Sequence, residues 1–273
     1  MLEQLKYVNH LGEVIEFGRK GIFVNSNDLR DYEWTYDSSR SKAENFRRGV
    51  VTKTIPVVIS AESKKKCIDI KNQIYEICEK DIIAEQKGRL YIDSYYLECY
   101  MFSSEKSNYL DSATTINISL KAVSDDGMWV CEETIEFRDG ENGKLDGKAY
   151  EYDYEYDYSL ADDNVESLSV GGFSKCDFVL TFYGPVADPY MTIDQHRYSM
   201  RGCVIEENES LVINSKDGTI TLHTAEGDVN MFSKRDKEND IFKKISPGNH
   251  LVFWGANDFD LTLIYERGEP PWM

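Results

Sequence analysis

Apolar residues alternate with polar ones along most of this chain, and only one stretch departs from that period. The C-terminal run from Ile241 to Arg267 shows the alternation best. It predicts two strands, His250–Trp254 and Leu261–Tyr265, joined by the loop Gly255-Ala256-Asn257-Asp258 as a closing hairpin. Leu251, Phe253, Phe259, Leu261, Leu263 and Tyr265 share one parity of the numbering. With a period of two, Leu261, Leu263 and Tyr265 lie on one face, expected to line a sandwich interior. Pro247-Gly248-Asn249 reads as a turn into the first strand, because Pro fixes φ while Gly and Asn tolerate positive φ.

The rest of the chain reads similarly. Tyr7-Val8 and Val14–Phe17 form an opening hairpin around Asn9–Gly12, and Ile22–Val24 follows another glycine turn. Trp34–Tyr36 is a short strand, Asp37–Phe46 a polar loop, and Val50–Ile59 a β-branched strand whose Pro56 marks an edge or bulge. Strands continue at 88–92, 95–102, 114–123 and 128–137, with Asp125-Asp126-Gly127 as a turn. The exception is Ser60–Asp81. There Cys67, Ile70, Ile74, Ile77 and Cys78 recur at spacings of three and four, which predicts a helix with Ser60 as N-cap. Its run Lys64–Lys66 is either a solvated face or a contact for an acidic neighbouring subunit. After the glycine-rich segment 139–147, short strands recur at 176–183, 191–196, 202–205, 211–214 and 219–222, a sandwich spacing. The predicted class is mainly β, with domains at 1–139 and 147–273.

Composition narrows the function. The chain has 273 residues, 18 Tyr and 12 Phe, and a net charge of −18 from 49 acidic and 31 basic residues. So acidic a surface is poorly suited to gripping nucleic-acid phosphates or anionic lipids. The six cysteines make no C-x-x-C pair and only four His are present, which points away from zinc and toward reduced, buried thiols. The first residues, Met1–Lys6, carry no secretory signal pattern, and no apolar run approaches the ~20 residues of a membrane span. The expectation is a protein made in a cytoplasm and not exported by a signal, with no membrane role.

Candidate chemistry is sparse. Tyr150–Tyr158 alternates Tyr with acids, as either a carboxylate row for calcium or a basic partner, or a strand packing its tyrosines. His196 lies near Asp194 and Arg197. Asp162-Asp163, or Asp258 with Asp260, would serve as glycosidase carboxylates only if held opposite each other. Trp254 and Trp272 are either sugar-stacking platforms or packing residues. There is no phosphate loop, nucleophile elbow or H-E-x-x-H. No catalytic residue, cofactor or metal site is expected.

Tyr7-x-Asn9-x-x-Gly12-Glu13 followed by Ile15 and Phe17 resembles the opening of the distal tail (Dit) proteins of long-tailed bacteriophages. Phe178–Pro189, Ile193–Tyr198, Glu209–Ile220, Ile241-Phe242, Ile245–Asn249 and Leu263–Tyr265 resemble their C-terminal domain. The resemblance marks Asn9, Gly12, Glu13, Pro247, Gly248 and Asn249 as structural motif positions. It implies an N-terminal domain that assembles as a hexameric ring (a belt), and an outward-facing, galectin-like β-sandwich. It implies a tail-tip hub of a phage or prophage virion, assembled in the host cytoplasm. Its partners would be itself, the tail tube and the tail-tip or receptor-binding proteins. The acid excess suits a ring that DNA passes without specific binding. The alternative is a carbohydrate-binding β-sandwich module, although His-x-Asn-Pro-Arg is absent.

Overall fold

The computed structural model describes residues 4–24, 26–107, 114–140, 164–255 and 257–272. The glycine-rich segment beyond Gly140, the Tyr150–Tyr158 alternation and Asp162-Asp163 lie outside these residues. By contact the chain divides into two compact units, Met1–Cys131 with Glu266–Met273, and Glu132–Tyr265. Both are built mainly of antiparallel strands, the class expected from the alternation.

The first unit contains β1 (Leu5–Val8), β2 (Val14–Glu16), β3 (Ile22–Val24), β4 (Thr35–Ser39), β5 (Lys42–Arg47), β6 (Val51–Ser60), α1 (Lys64–Ala84), β7 (Gly88–Ile92), β8 (Tyr95–Ser107), β9 (Thr115–Ser124) and the start of β10 (Trp129–Phe137). The long strand β8 serves two sheets. Tyr95–Cys99 pairs with β7, and the stretch from Tyr100 onward pairs with β9. The register shifts between Met101 and Ser103, and such a bulge bends a strand from one sheet into the next. β3 stops opposite Val57, one residue short of Pro56, so that proline needs no partner on this side. The core joins Ile55, Val57 and Ile59 of β6 and Ile116, Ile118 and Leu120 of β9 to the inner face of α1.

That inner face holds Cys67, Ile70, Ile74, Ile77 and Cys78, as the spacing predicts. The N-cap differs. Ser60 ends β6, opposite Thr115, and Ser63 caps the helix by accepting from the Lys66 N–H at 3.2 Å. Ser60 already spends its backbone on the sheet and donates to Gly21 O, so the helix starts one cap later.

The segment 37–46 is not a loop. β4 and β5 form a hairpin closed by Arg40 and Ser41, both at positive φ, the geometry of a type I′ turn. Neither strand buries a face, so no apolar alternation marks it. The chain's last residues return to this unit. Arg30 donates to the carbonyls of Pro270 and Pro271, and its guanidinium lies 4.2 Å from the Trp272 ring centre.

The second unit continues β10 and adds β11 (Asn164–Val170), β12 (Asp177–Tyr183), β13 (Val186–Ala187), β14 (Tyr190–Ile193), β15 (His196–Ser199), β16 (Val204–Ile205), β17 (Ser210–Asn214), β18 (Thr219–Thr224), β19 (Gly227–Asn230), β20 (Gly248–Trp254) and β21 (Phe259–Arg267). One sheet runs β19-β18-β17-β12-β21-β10, and another runs β11-β20-β14-β15. Residues from both sheets make one core. Cross-strand register stacks it in rows. Phe182 faces Phe259 and Leu211, Leu180 faces Leu261 and Ile213, and Phe178 faces Leu263. Each such pair adds to the burial of its members.

The expected closing hairpin is corrected here. β20 pairs with β11 and β14, while β21 pairs with β12. The loop 255–258 therefore carries the chain between two sheets, and the parity breaks across it. Leu261 and Leu263 are buried as expected, but in β20 Val252 and Trp254 point inward while Leu251 is exposed. Residues 191–196 are likewise no single strand: Asp194, at positive φ, turns β14 into β15.

Leu263→Asp should lower the unfolding free energy by roughly 4 kcal/mol or more, since it buries an unpaired charge in a fully enclosed row. The urea midpoint measures this, with Leu251→Asp as a near-neutral control.

Candidate functional site

The Asn9–Glu13 positions build a polar clamp between the β1–β2 turn and α1. Asn9 is buried. Its Oδ1 accepts from the N–H groups of Leu11 and Glu13 at 3.1 and 2.8 Å. Its Nδ2 donates to Glu13 Oε2 at 2.7 Å and to Ile77 O at 3.3 Å. One side chain thus closes the turn and ties it to the helix. Gly12 sits at φ +80°, where its N–H reaches Asn9 O, so the left-handed position favours glycine. Glu13 takes both short bonds from Lys80 Nζ, at 2.6 and 2.8 Å. The Lys80 and Asn9 donors hold its carboxyl below the usual range.

Beside this clamp lies Asp81, fully buried. It accepts from Tyr7 Oη at 2.5 Å and from the His10 N–H at 2.9 Å, and His10 Nδ1 lies 2.5 Å away. Burial, and then this bond to Asp81, push the Tyr7 phenol far above its ordinary value. A phenol so enclosed is a structural donor, not a nucleophile. Gly88 is fixed by the same group: a Cβ there would stand 2.4 Å from Tyr7 Oη and 2.6 Å from Asp81 Oδ2. Sequence reasoning missed Asp81. The available signal was its place on the inner face, four residues after Ile77, where a charged residue needs partners.

In the second unit, Gly248 and Asn249 already belong to β20, opposite Val170 and Ser169, so the turn expected at Pro247–Asn249 is shorter. Gly248 has φ +129°. The adjacent His250 is held at both ring nitrogens. Nδ1 lies 2.7 Å from Asp194 Oδ2, and Nε2 lies 2.8 Å from Ser246 O. Two acceptors favour the doubly protonated ring, so Asp194 and then Ser246 raise the His250 value, against the opposing effect of burial. Asp194 is lowered by His250 and by the Leu251 N–H.

The other candidates are not brought together. His196 contacts Asp240 O at 2.7 Å, not Asp194. Asp260 is engaged by Arg138 and by Tyr183 Oη, each at 2.7 Å, and Asp258 accepts from the Asp139 N–H. Trp254 is a core residue, edge-on to Phe137 and Phe259, and offers no sugar platform. Trp272 is exposed and lies under Arg30. Among the described residues no group of three or more His, Cys, Asp or Glu is placed to hold a metal ion, and all six cysteines are free thiols. No described helix is long and apolar enough to cross a membrane.

No protein-family model and no curated protein sequence matches the chain. Solved structures do. The Dit protein of phage SPP1, a hub of the adsorption apparatus in phages infecting Gram-positive bacteria, aligns over 97% of this chain and 100% of its own, with a TM-score of 0.61 and 7% identity. The fold is shared with a phage tail hub. A chain of the phage P2 baseplate in its activated conformation aligns over 99% of this chain and 100% of its own in both its calcium and its strontium forms. Those TM-scores are 0.59 and 0.60, each at 11% identity. At such identity the likeness is one of fold, and it takes in both units of the chain.

Two outcomes test these sites. Asp81→Ala leaves the buried Tyr7 hydroxyl and the His10 N–H without their acceptor and should cost about 3 kcal/mol by urea unfolding. The second is pH-dependent. The raised His250 value means its contribution is complete below the unfolded value of about 6.5 and is lost as pH rises through the higher folded value. Asp194, lowered, contributes above its unfolded value of about 3.9 and loses that as pH falls. The stability difference between wild type and His250→Gln should therefore be largest near pH 5–6 and shrink toward pH 9.

Proposed function

We propose that this chain is a distal tail (Dit) protein, a non-enzymatic structural component of a phage or prophage tail tip. The observation carrying this reading is the alignment with Dit and baseplate chains along their whole length and nearly all of this one. The motif positions Asn9, Gly12 and Glu13 fit a structural role, since each serves the clamp on α1. Pro247 leads into β20, and Gly248 and Asn249 are its first residues, a structural role of the same kind. The ring-forming part is assigned to residues 1–139 and the outward sandwich to 147–273.

The ring itself is supported by the β4–β5 hairpin. Among the described residues it pairs with no other strand, and Tyr36 and Phe46, each 57% exposed, lie 5.7 Å apart on it. A lone two-stranded hairpin is marginally stable in water. Its open edges and aromatic pair favour packing on a neighbouring copy, and a repeated head-to-tail contact of that kind closes into a ring where its rotation divides a full turn. We assign six copies, with the tail tube and the tail-tip or receptor-binding proteins as partners. A charge of −18 suits a passage through which DNA slides without sticking. The carbohydrate-module alternative loses its main platform with the burial of Trp254.

Light scattering or negative-stain microscopy of the full chain should give six-copy rings. Tyr36→Ser with Phe46→Ser should abolish them while leaving the far-ultraviolet spectrum unchanged. Rings that persist in the double variant would remove the hairpin from the contact. A monomeric wild type that binds glycans would favour the alternative.

A further inference from the structure

The β4–β5 hairpin joins the first unit through two legs without regular structure, residues 31–34 and 48–50. Among the described residues no further strand pairs with it, so no sheet holds it in place. A contact at its base ties the legs together. The Arg48 guanidinium lies 4.3 Å from the Trp34 ring centre, a cation–π pair across the two legs. Arg48 Nε is buried and has no hydrogen-bond partner among the described residues, so packing holds that atom where it is.

The end of the chain supplies part of that packing. Gly268 lies so close to Arg48 that a Cβ there would overlap the guanidinium, and glycine lets the backbone come that near. Beyond it Pro270 is buried, and the Pro270 and Pro271 carbonyls accept from Arg30 Nη1, the second at 3.0 Å. The Arg30 guanidinium also lies 4.2 Å from the Trp272 ring centre, and Trp272 Nε1 donates to Glu269 Oε1 at 2.7 Å.

Arg30 itself stands in a turn fixed to β6. Lys53, 7% exposed, donates to the carbonyls of Asp28 and Asp31, and Asp28 Oδ1 accepts from the Thr54 N–H at 2.7 Å. Anchorage therefore runs from β6 to Arg30, from Arg30 to the chain end, and from the chain end to the Arg48–Trp34 base. The sequence Glu269-Pro270-Pro271 suits this. Proline fixes its own φ and biases the residue before it toward extended backbone, so docking orders few free torsions.

We propose that residues 268–272 are a strap that keeps the β4–β5 hairpin ordered by closing over Arg48 at its base. A lone hairpin is marginal in water, so one that loses its base should open. The strap acts within the first unit and needs no ring. Its consequence for assembly rests on the ring reading above.

Hydrogen exchange of the amides at 36–46 in the full chain tests the strap. Gly268→Val, which displaces the guanidinium, and Arg30→Gln, which removes the donors to both carbonyls, should each speed exchange there about tenfold or more, while the amides of α1 keep their rates. Each is measured with the native hairpin and with Tyr36→Ser and Phe46→Ser, so that protection inside a ring does not mask the effect. With the native hairpin, light scattering should show fewer rings in both variants. Faster hairpin exchange in a chain whose wild type forms no rings upholds the strap and removes the ring reading. Faster exchange beside unchanged rings upholds the strap and takes the hairpin out of the ring contact. The proposal is overturned if neither variant speeds hairpin exchange in either background, or if α1 exchange rises by the same factor, the mark of general loosening.

Discussion

A carboxyl removed from water must find donors within reach, and Asp81 finds them on a different element. Tyr7 Oη and the His10 N–H both come from the first hairpin, so the bond that satisfies Asp81 also fixes where α1 lies on the first unit. The neighbouring residues are constrained in turn. Gly88 has no room for a Cβ beside this pair, and Asn9 spends all its hydrogen-bonding capacity on the same junction. Apolar burial holds the helix on the sheet, but burial is non-directional. The polar clamp selects one placement, because a shift along the helix axis would strand several buried groups at once.

Legibility followed burial. The inner face of α1 and the row Leu261, Leu263 could be read from spacing alone, because each has one dry side and one wet side. The β4–β5 hairpin could not, since both its faces are exposed and its turn is made by Arg40 and Ser41, with no glycine or asparagine to mark it. Strand positions near the C-terminus were also legible, but their pairing was not. Alternation tells which side of a strand is buried and is silent on which strand lies beside it. β20 and β21 are separated by a loop short enough for a hairpin, yet they join different sheets. At the clamp, Asn9, Gly12 and Glu13 were found by resemblance. Asp81 was passed over because a single acid at a helix end looks like solvent-facing polarity until its angular position is counted.

The titratable groups with the clearest partners are spent on structure: Asp260 on Arg138 and Tyr183, Asp194 on His250, and Asp177 on Lys244. Exposed apolar side chains lie elsewhere, Tyr36 and Phe46 on the β4–β5 hairpin among them. In the proposed ring the hairpin would reach a different patch on the next copy, a head-to-tail contact.

An identity of 7–11% over the whole chain is compatible with one fold because the constraints described above are mostly classes and not identities. A sheet core asks for an apolar residue at alternate positions, and Leu, Ile, Val and Phe meet that demand with adjustments of packing. Where geometry demands one residue, the demand is local: glycine at 88 against a phenol, or a short amide at 9 that both donates and accepts. An exposed position such as Tyr36 or Phe46 meets no such packing demand within the chain and is free to change while the architecture is kept.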